Sequence, residues 1–249
     1  VLSEEFSILN SQGLEHMADP TTLIYSRIML EAKGDLGYCT AMKHFCSHRL
    51  AEFNPSGQVD GVTHAATQLL HLPKRHISKT KSDVILSPES TGSFLAYLVA
   101  PMIVGKSVEQ GASCFSNMLN RQVAPNLFSI SDDGRVEGGL NSASVDDEGT
   151  PTRSTTIIKN GILTGFLYDT VTASSRGLVS TGNGRRVSDT LGRQYLNPPE
   201  PLPTNLVIGR GVYSPEELIQ ETREGILINS FDYVFPLAPE QGYFSMTSG

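Results

Sequence analysis

Two β-branched and apolar runs, Thr155 to Lys159 and Ile162 to Tyr168, meet at Asn160-Gly161. That dipeptide is the two-residue turn whose positive φ angles match the right-handed twist of paired strands. The middle of the chain is therefore held to an antiparallel hairpin, and the segments around it must supply the rest of a sheet. Just upstream, Asp146, Asp147 and Glu148 stand in a row before Gly149, Pro151 and a Thr-rich run. Short acidic and hydroxyl side chains bond to nearby backbone groups more readily than they extend a helix, so this segment reads as a loop held by side-chain-to-backbone hydrogen bonds. Downstream, Ser180-Thr181-Gly182-Asn183-Gly184-Arg185-Arg186 is glycine-rich. It lacks the Lys-Ser/Thr and the flanking strand and helix of a phosphate-binding loop, which argues against a nucleotide.

The first third reads as strands at Glu5 to Asn10, Leu23 to Ala32 and Tyr38 to Arg49, with a reversal at Lys33-Gly34-Asp35. From Val59 to Leu72, the residues Val62, Ala65, Ala66, Leu69 and Leu70 recur at spacings of three and four and form one helical face. Lys74 to Ser82 is a basic connector into a short buried strand, Asp83 to Leu86. Ser87-Pro88-Glu89 then offers an N-cap hydroxyl, a first-turn proline and an acid near the positive end of the helix dipole. The helix that follows, Ser90 to Ile103, is apolar round most of its circumference and is expected to be buried. A second helix is expected over Ser107 to Asn120 and a short one over Thr170 to Arg176. Ser214-Pro215-Glu216-Glu217 is a capping box that opens a helix to Arg223. Pro198, Pro199, Pro201 and Pro203 exclude helix and central strand, so Asn197 to Pro203 reads as a stiff exposed connection.

Strands are expected to outnumber helices, because 23 Gly and 14 Pro demand many turns. A length of 249 residues permits one large domain or two smaller ones. The formal charge of -7 opposes attraction to a phosphate backbone, so no direct nucleic-acid contact is expected. Cys39, Cys46 and Cys114 form no paired framework, which suits a reducing compartment and makes the cytoplasm the expected location. No run approaches the roughly 20 apolar residues that span a bilayer, so no membrane contact is expected. His44, Cys46 and His48 share a strand face at alternate positions, but no fourth ligand can be named and such positions spread the donors widely. They read as a solvated or partner-facing strand.

The acidic loop, the hairpin, Ser180 to Arg186, Pro203 to Ile219 and Gly225 to Ile228 come in an order and spacing that resembles the C-terminal domain of the TldD/PmbA family. The likeness is strong from Asp83 to Gly249 and weaker from Glu5 to Pro73. It implies an α+β fold: a strand-rich C-terminal domain at 83–249 with mixed and antiparallel sheets and a few packed helices, preceded at 1–82 by part of an α/β N-terminal domain. It also implies a chain cut at both ends, since Val1 is not Met and Gly249 falls inside a GYFSMTSG strand.

Peptide-cleaving members carry HExxxH on the helix after the strand-Ser-Pro entry, where two imidazoles and a carboxylate serve a metal-bound water. The matching places here are Ala96, Tyr97 and Pro101, and His76 is the last of the six histidines. The resemblance is therefore to the PmbA (TldE) branch, which implies a non-catalytic subunit with no cofactor of its own. Zinc is then expected in a TldD-type partner, and an extended peptide is the shared substrate. Candidate peptide- or partner-binding residues are Asp146, Asp147, Glu148, Thr181, Asn183, Arg185 and Arg186, the arginines as partners for the carboxylates or for a peptide's acidic groups. A homodimer is left open. The other reading is an interaction module acting on gyrase or a toxin-antitoxin pathway, without a protease role.

Overall fold

The computed structural model describes residues 1–9, 13, 15–17, 21–34, 37–72, 81–186, 194–231 and 233–247. The chain opens with β1 (Leu2–Glu4), β2 (Ser7–Leu9) and β3 (Glu15–Met17). One strand over Glu5 to Asn10 was expected, but the chain changes partner at Glu5-Phe6: β1 pairs with the long strand that begins at Thr21, and β2 pairs with β3. Asn10 lies outside the described residues. Next come β4 (Thr21–Gly34) and β5 (Gly37–Ser47), an antiparallel pair in unbroken register from Ile24 opposite Ser47 to Gly34 opposite Gly37. Lys33 and Gly34 thus belong to the strand rather than to the reversal, and Asp35 is outside the described residues. Helix α1 (Pro55–His71) begins earlier than its apolar face suggests, because the Asn54 side chain caps the Gly57 amide at 2.9 Å and Pro55 fits the first turn. Val62 and Ala66 are buried against Ala41, flanked by Ile28, Leu30 and Leu69. The basic connector falls on 73–80, outside the described residues, except for Lys81 and Ser82.

Strand β6 (Asp83–Leu86) leads into α2 (Pro88–Phe94), which continues without a break through a π-helical turn, Leu95–Val99, into α3 (Ala100–Met102). Ser87 caps α2 as expected, its hydroxyl accepting the Ser90 amide at 3.2 Å. Two expectations fail here. Strand β6 is not buried, since Val84 is 51% exposed and its pairing within the described residues is a two-stranded parallel ladder. The long helix is only half buried: Leu98 and Met102 face inward while Tyr97 is 60% exposed. A single apolar side chain in solvent is common in folded proteins, and an apolar sequence does not dictate a wet face.

Helix α4 (Gly105–Glu109) ends far short of Asn120. The predicted helix is replaced by turns with left-handed Gly111, Asn117 and Asn120 at φ 68°, 65° and 62°. Ser113 diverts the backbone further, its hydroxyl donating to Met102 O at 2.7 Å and accepting the Phe115 amide at 3.0 Å. Strands β7 (Ile130–Asp133), β8 (Ser154–Lys159) and β9 (Ile162–Leu163) follow, with Asn160 and Gly161 at φ 49° and 79° in the expected turn. The second arm stops at Leu163 rather than Tyr168, because Leu167 turns away to bridge Val104. Ile103, Ile130, Ile157, Leu163, Phe166 and Leu167 form the main core beneath this sheet.

Helix α5 (Thr170–Ser175) is capped by the Asp169 side chain on the Thr172 amide at 2.7 Å. The proline segment is not wholly exposed. Strand β10 (Gly184–Arg185) pairs with β11 (Glu200–Pro201), and Pro201 is buried. Such a two-residue ladder tolerates proline because it sits at an edge. Strand β12 (Leu206–Ile208) completes a four-stranded sheet in the order β12-β7-β8-β9. Helix α6 (Pro215–Glu221) starts with the full capping box on Ser214 and Glu217. Strand β13 (Gly225–Ile228) pairs with β6, and β14 (Tyr233–Ala238) pairs with β15 (Tyr243–Thr247). The fold is α+β, with strands predominating. No helix among the described residues is long and apolar enough to cross a membrane.

Candidate functional site

The acidic loop and the glycine-rich segment lie against one another, joined by bonds that span 38 and 39 positions in sequence. Asp146 is buried and its Oδ1 accepts the amides of Glu148 and Thr150 at 3.0 and 2.8 Å, closing the loop as the sequence suggests. Its Oδ2 accepts the Gly184 amide at 2.9 Å. Asp147 accepts the Arg186 amide at 2.7 Å, and Glu148 accepts the Thr170 amide at 2.7 Å at the start of α5. Three neighbouring carboxylates thus hold three separate backbone segments.

Gly182 and Gly184 have no room for a side chain. A Cβ on Gly182, at φ 78°, would sit 2.5 Å from Pro151 O, and one on Gly184 would meet the Glu148 carboxylate. Both arginines bond into the surrounding backbone. Arg186 reaches Asp147 through its backbone amide, while its guanidinium donates to Tyr195 O and Asn197 O at 3.0 and 2.9 Å. Arg185 donates to Pro203 O and to Asn141 Oδ1.

Behind this loop pair is a polar centre built on Asp132, which local sequence reading did not single out. Asp132 is 1% exposed and accepts from Asn183 Nδ2 at 2.6 Å, from the Thr204 amide at 2.7 Å and from Thr204 Oγ1 at 2.9 Å. Asn183 also donates to Leu202 O and accepts from Thr181 Oγ1 at 2.6 Å. Burial pushes the Asp132 carboxyl above the usual aspartate range, while the bonds from Asn183 and Thr204 and the charge of Arg185 pull it back. Asp146 is raised by burial too, against the amides that bond it. Of the predicted residues, Asp146, Thr181 and Asn183 are therefore enclosed and bonded inward, and they fix the shape of the segment they share.

The helix of α2, the π turn and α3 has an outward face. Ala96, Tyr97 and Pro101, the positions that match the family's metal motif, all lie on it. The π turn itself spans Leu95–Val99, and such turns are rare inside helices. At the N-terminal end of this helix, Glu89 lies 3.6 Å from His44 Nε2, whose Nδ1 meets Tyr25 Oη at 2.9 Å. Burial raises the Glu89 carboxyl, and His44 and Lys43 oppose that. His48 lies beyond the end of β5 and bonds Thr22 O and Gly139 O, while Cys46 is exposed on β5. The three strand residues do not converge. Among the described residues, no group of three or more His, Cys, Asp and Glu is placed to hold a metal.

The sequence profile of the PmbA/TldA metallopeptidase C-terminal domain matches residues 79–248, more than half of the chain. The chain belongs to the PmbA/TldD metallopeptidase family. A metalloprotease TldD homolog from Buchnera aphidicola of Acyrthosiphon pisum is 33% identical over 163 residues, covering 66% of this chain and 32% of the relative. A metalloprotease PmbA homolog from Buchnera aphidicola of Baizongia pistaciae is 31% identical over 172 residues, covering 69% and 38%. The chain thus spans about a third of the length of these relatives. The crystal structure of TldE from Thermococcus kodakarensis superposes with a TM-score of 0.82 at 23% identity, over 98% of this chain and 53% of that one. The fold is therefore that of a PmbA/TldD protein.

Proposed function

We propose that this chain belongs to a non-catalytic, PmbA-like subunit of a heteromeric zinc metallopeptidase, enclosing and presenting extended peptide to the active site of a TldD-type partner. One observation carries the reading: from Ile77 to Gly249 the chain holds no histidine, so the outward face of Ala96, Tyr97 and Pro101 offers no imidazole to a metal. Overall identity does not choose between the branches, since the TldD and PmbA homologs lie at 33% and 31%. The helix does. The acidic loop, Thr181, Asn183, Arg185 and Arg186 serve in this reading as the framework of the peptide- or partner-facing surface, and short strands with open edges suit main-chain pairing to an extended chain.

Mixing the chain with a TldD-type protein and following cleavage of an unfolded peptide tests this. Cleavage by the mixture, with none from this chain alone, is the expected result. Chelator-sensitive cleavage by this chain alone would overturn it.

A further inference from the structure

The turns that replace the predicted helix after α4 form one wall of a groove of about 580 Å³, and segments around Phe166 to Leu178 form the other. That volume falls in the roughly 300–1,000 Å³ range of small-ligand sites. Its apolar surface comes from Val108, Phe166, Leu119 and Leu178, the last two 48% and 49% exposed at the rim. The wall is pinned by Ser116 Oγ on Val108 O at 3.2 Å and by the left-handed Asn117.

One end of the groove is polar. Arg176 Nε donates to Glu109 Oε1 at 3.2 Å, and Ser175 Oγ donates to the same oxygen at 3.0 Å. Among the described residues nothing takes the terminal amino groups of Arg176 or the hydroxyl of Tyr168, and both residues line the groove. The Tyr168 ring is held over Gly105, where a Cβ would strike it.

The charges at this end sum to zero, which selects the ligand. A free carboxylate would meet Glu109 as well as Arg176, and a cation would meet Arg176 as well as Glu109. A main-chain amide is neutral and carries a donor and an acceptor close together, so its C=O can accept from Arg176 or Tyr168 while its N–H turns to the Glu109 carboxylate. We propose that this groove is a subsite for one bulky apolar side chain of an extended peptide, whose adjacent main-chain amide is held by Glu109 and Arg176. The inference rests on the peptide-presenting role proposed above.

The chain contains no tryptophan, so the peptide Ac-Ala-Ala-Trp-Ala-Ala-amide reports its own burial through indole emission. Titrated with the full chain, its emission should shift to the blue and saturate, and the Ser analogue of the peptide should not compete. Leu119→Asp, at the exposed rim, should weaken binding at least about tenfold, since it places a charge where an apolar surface must close. Arg176→Ala should weaken it in the same direction with circular dichroism unchanged. Equal affinity for Leu119→Asp and the unaltered chain, or no binding by the unaltered chain, overturns the groove assignment. So does much tighter binding of the same peptide with a free C-terminal carboxylate, which would mark an anion site. Cleavage by the partnered complex is read separately: cleavage that Leu119→Asp leaves unchanged removes the groove alone, and absent cleavage removes the subunit reading.

Discussion

Replacing Asp132 by Asn keeps its shape and removes its charge. In the native centre Oδ1 accepts the Thr204 amide, and Oδ2 accepts both Asn183 Nδ2 and Thr204 Oγ1. An amide in that place still serves the Thr204 amide through its oxygen, and the Thr204 hydroxyl can turn to accept. Asn183 cannot adapt: its Nδ2 would face another NH₂ group, and its own oxygen is engaged by Thr181. One charge-assisted bond is lost and one donor is stranded in a site that is 1% exposed. At about 1.5–3 kcal/mol for the bond and 1–3 for the orphan, less the relief of no longer burying a charge, the cost comes to about 2–4 kcal/mol at neutral pH. Asp132→Ala, which leaves every donor unmatched and opens a void, should cost more.

Urea unfolding followed by far-ultraviolet circular dichroism reads this as a lower midpoint at unchanged slope. The pH dependence supplies a second readout. The folded-state carboxyl is raised, so its contribution to stability is complete below the ordinary aspartate range and is lost as pH rises through the raised value. The Asn variant has no such group, so the gap between the two proteins should widen as the solution is made acidic across that window. A cost below about 0.5 kcal/mol, the scale of an ordinary surface change, together with a gap that does not vary with pH, would refute a buried, hydrogen-bonded Asp132.

Gly161→Ala should destabilise by about 2 kcal/mol or more, since it adds a side chain at φ 79° directly against Ala124 O, whereas Asn160→Gly should be near neutral; thermal unfolding of both compares them. Ser214→Ala breaks the capping box on α6 and should cost about 1 kcal/mol in the same denaturant assay, with no effect on peptide binding at the groove.

Features set by neighbouring residues were legible in the sequence. The Asn160-Gly161 turn, the caps at Ser87 and Ser214 and the apolar face of α1 each depend on a few residues in a row, and each stands where the residues put it. The helix expected over Ser107 to Asn120 failed because Gly111, Asn117 and Asn120 are residue types that accept left-handed geometry, and Ser113 offers the backbone another partner. Those same residues were the available signal. Asp132 was missed because its partners, Asn183 and Thr204, lie 51 and 72 positions away, and no local pattern announces such a meeting. The groove is assembled from Val108 to Leu119 and from Phe166 to Leu178, so no motif could describe it.

The entry to α2 is tied to the far end of the chain. Ser87 donates to Asn229 O and Ser90 to Ile228 O, across 142 and 138 positions, beside the β6–β13 ladder. A ribosome adding about 5–20 residues per second needs roughly 7–30 s to travel that distance. For that interval β6 lacks its β13 mate, and the two serines lack their distant carbonyl acceptors. This joint can close only once Gly225–Ile228 has been synthesised, so it belongs to the last part of the chain's folding.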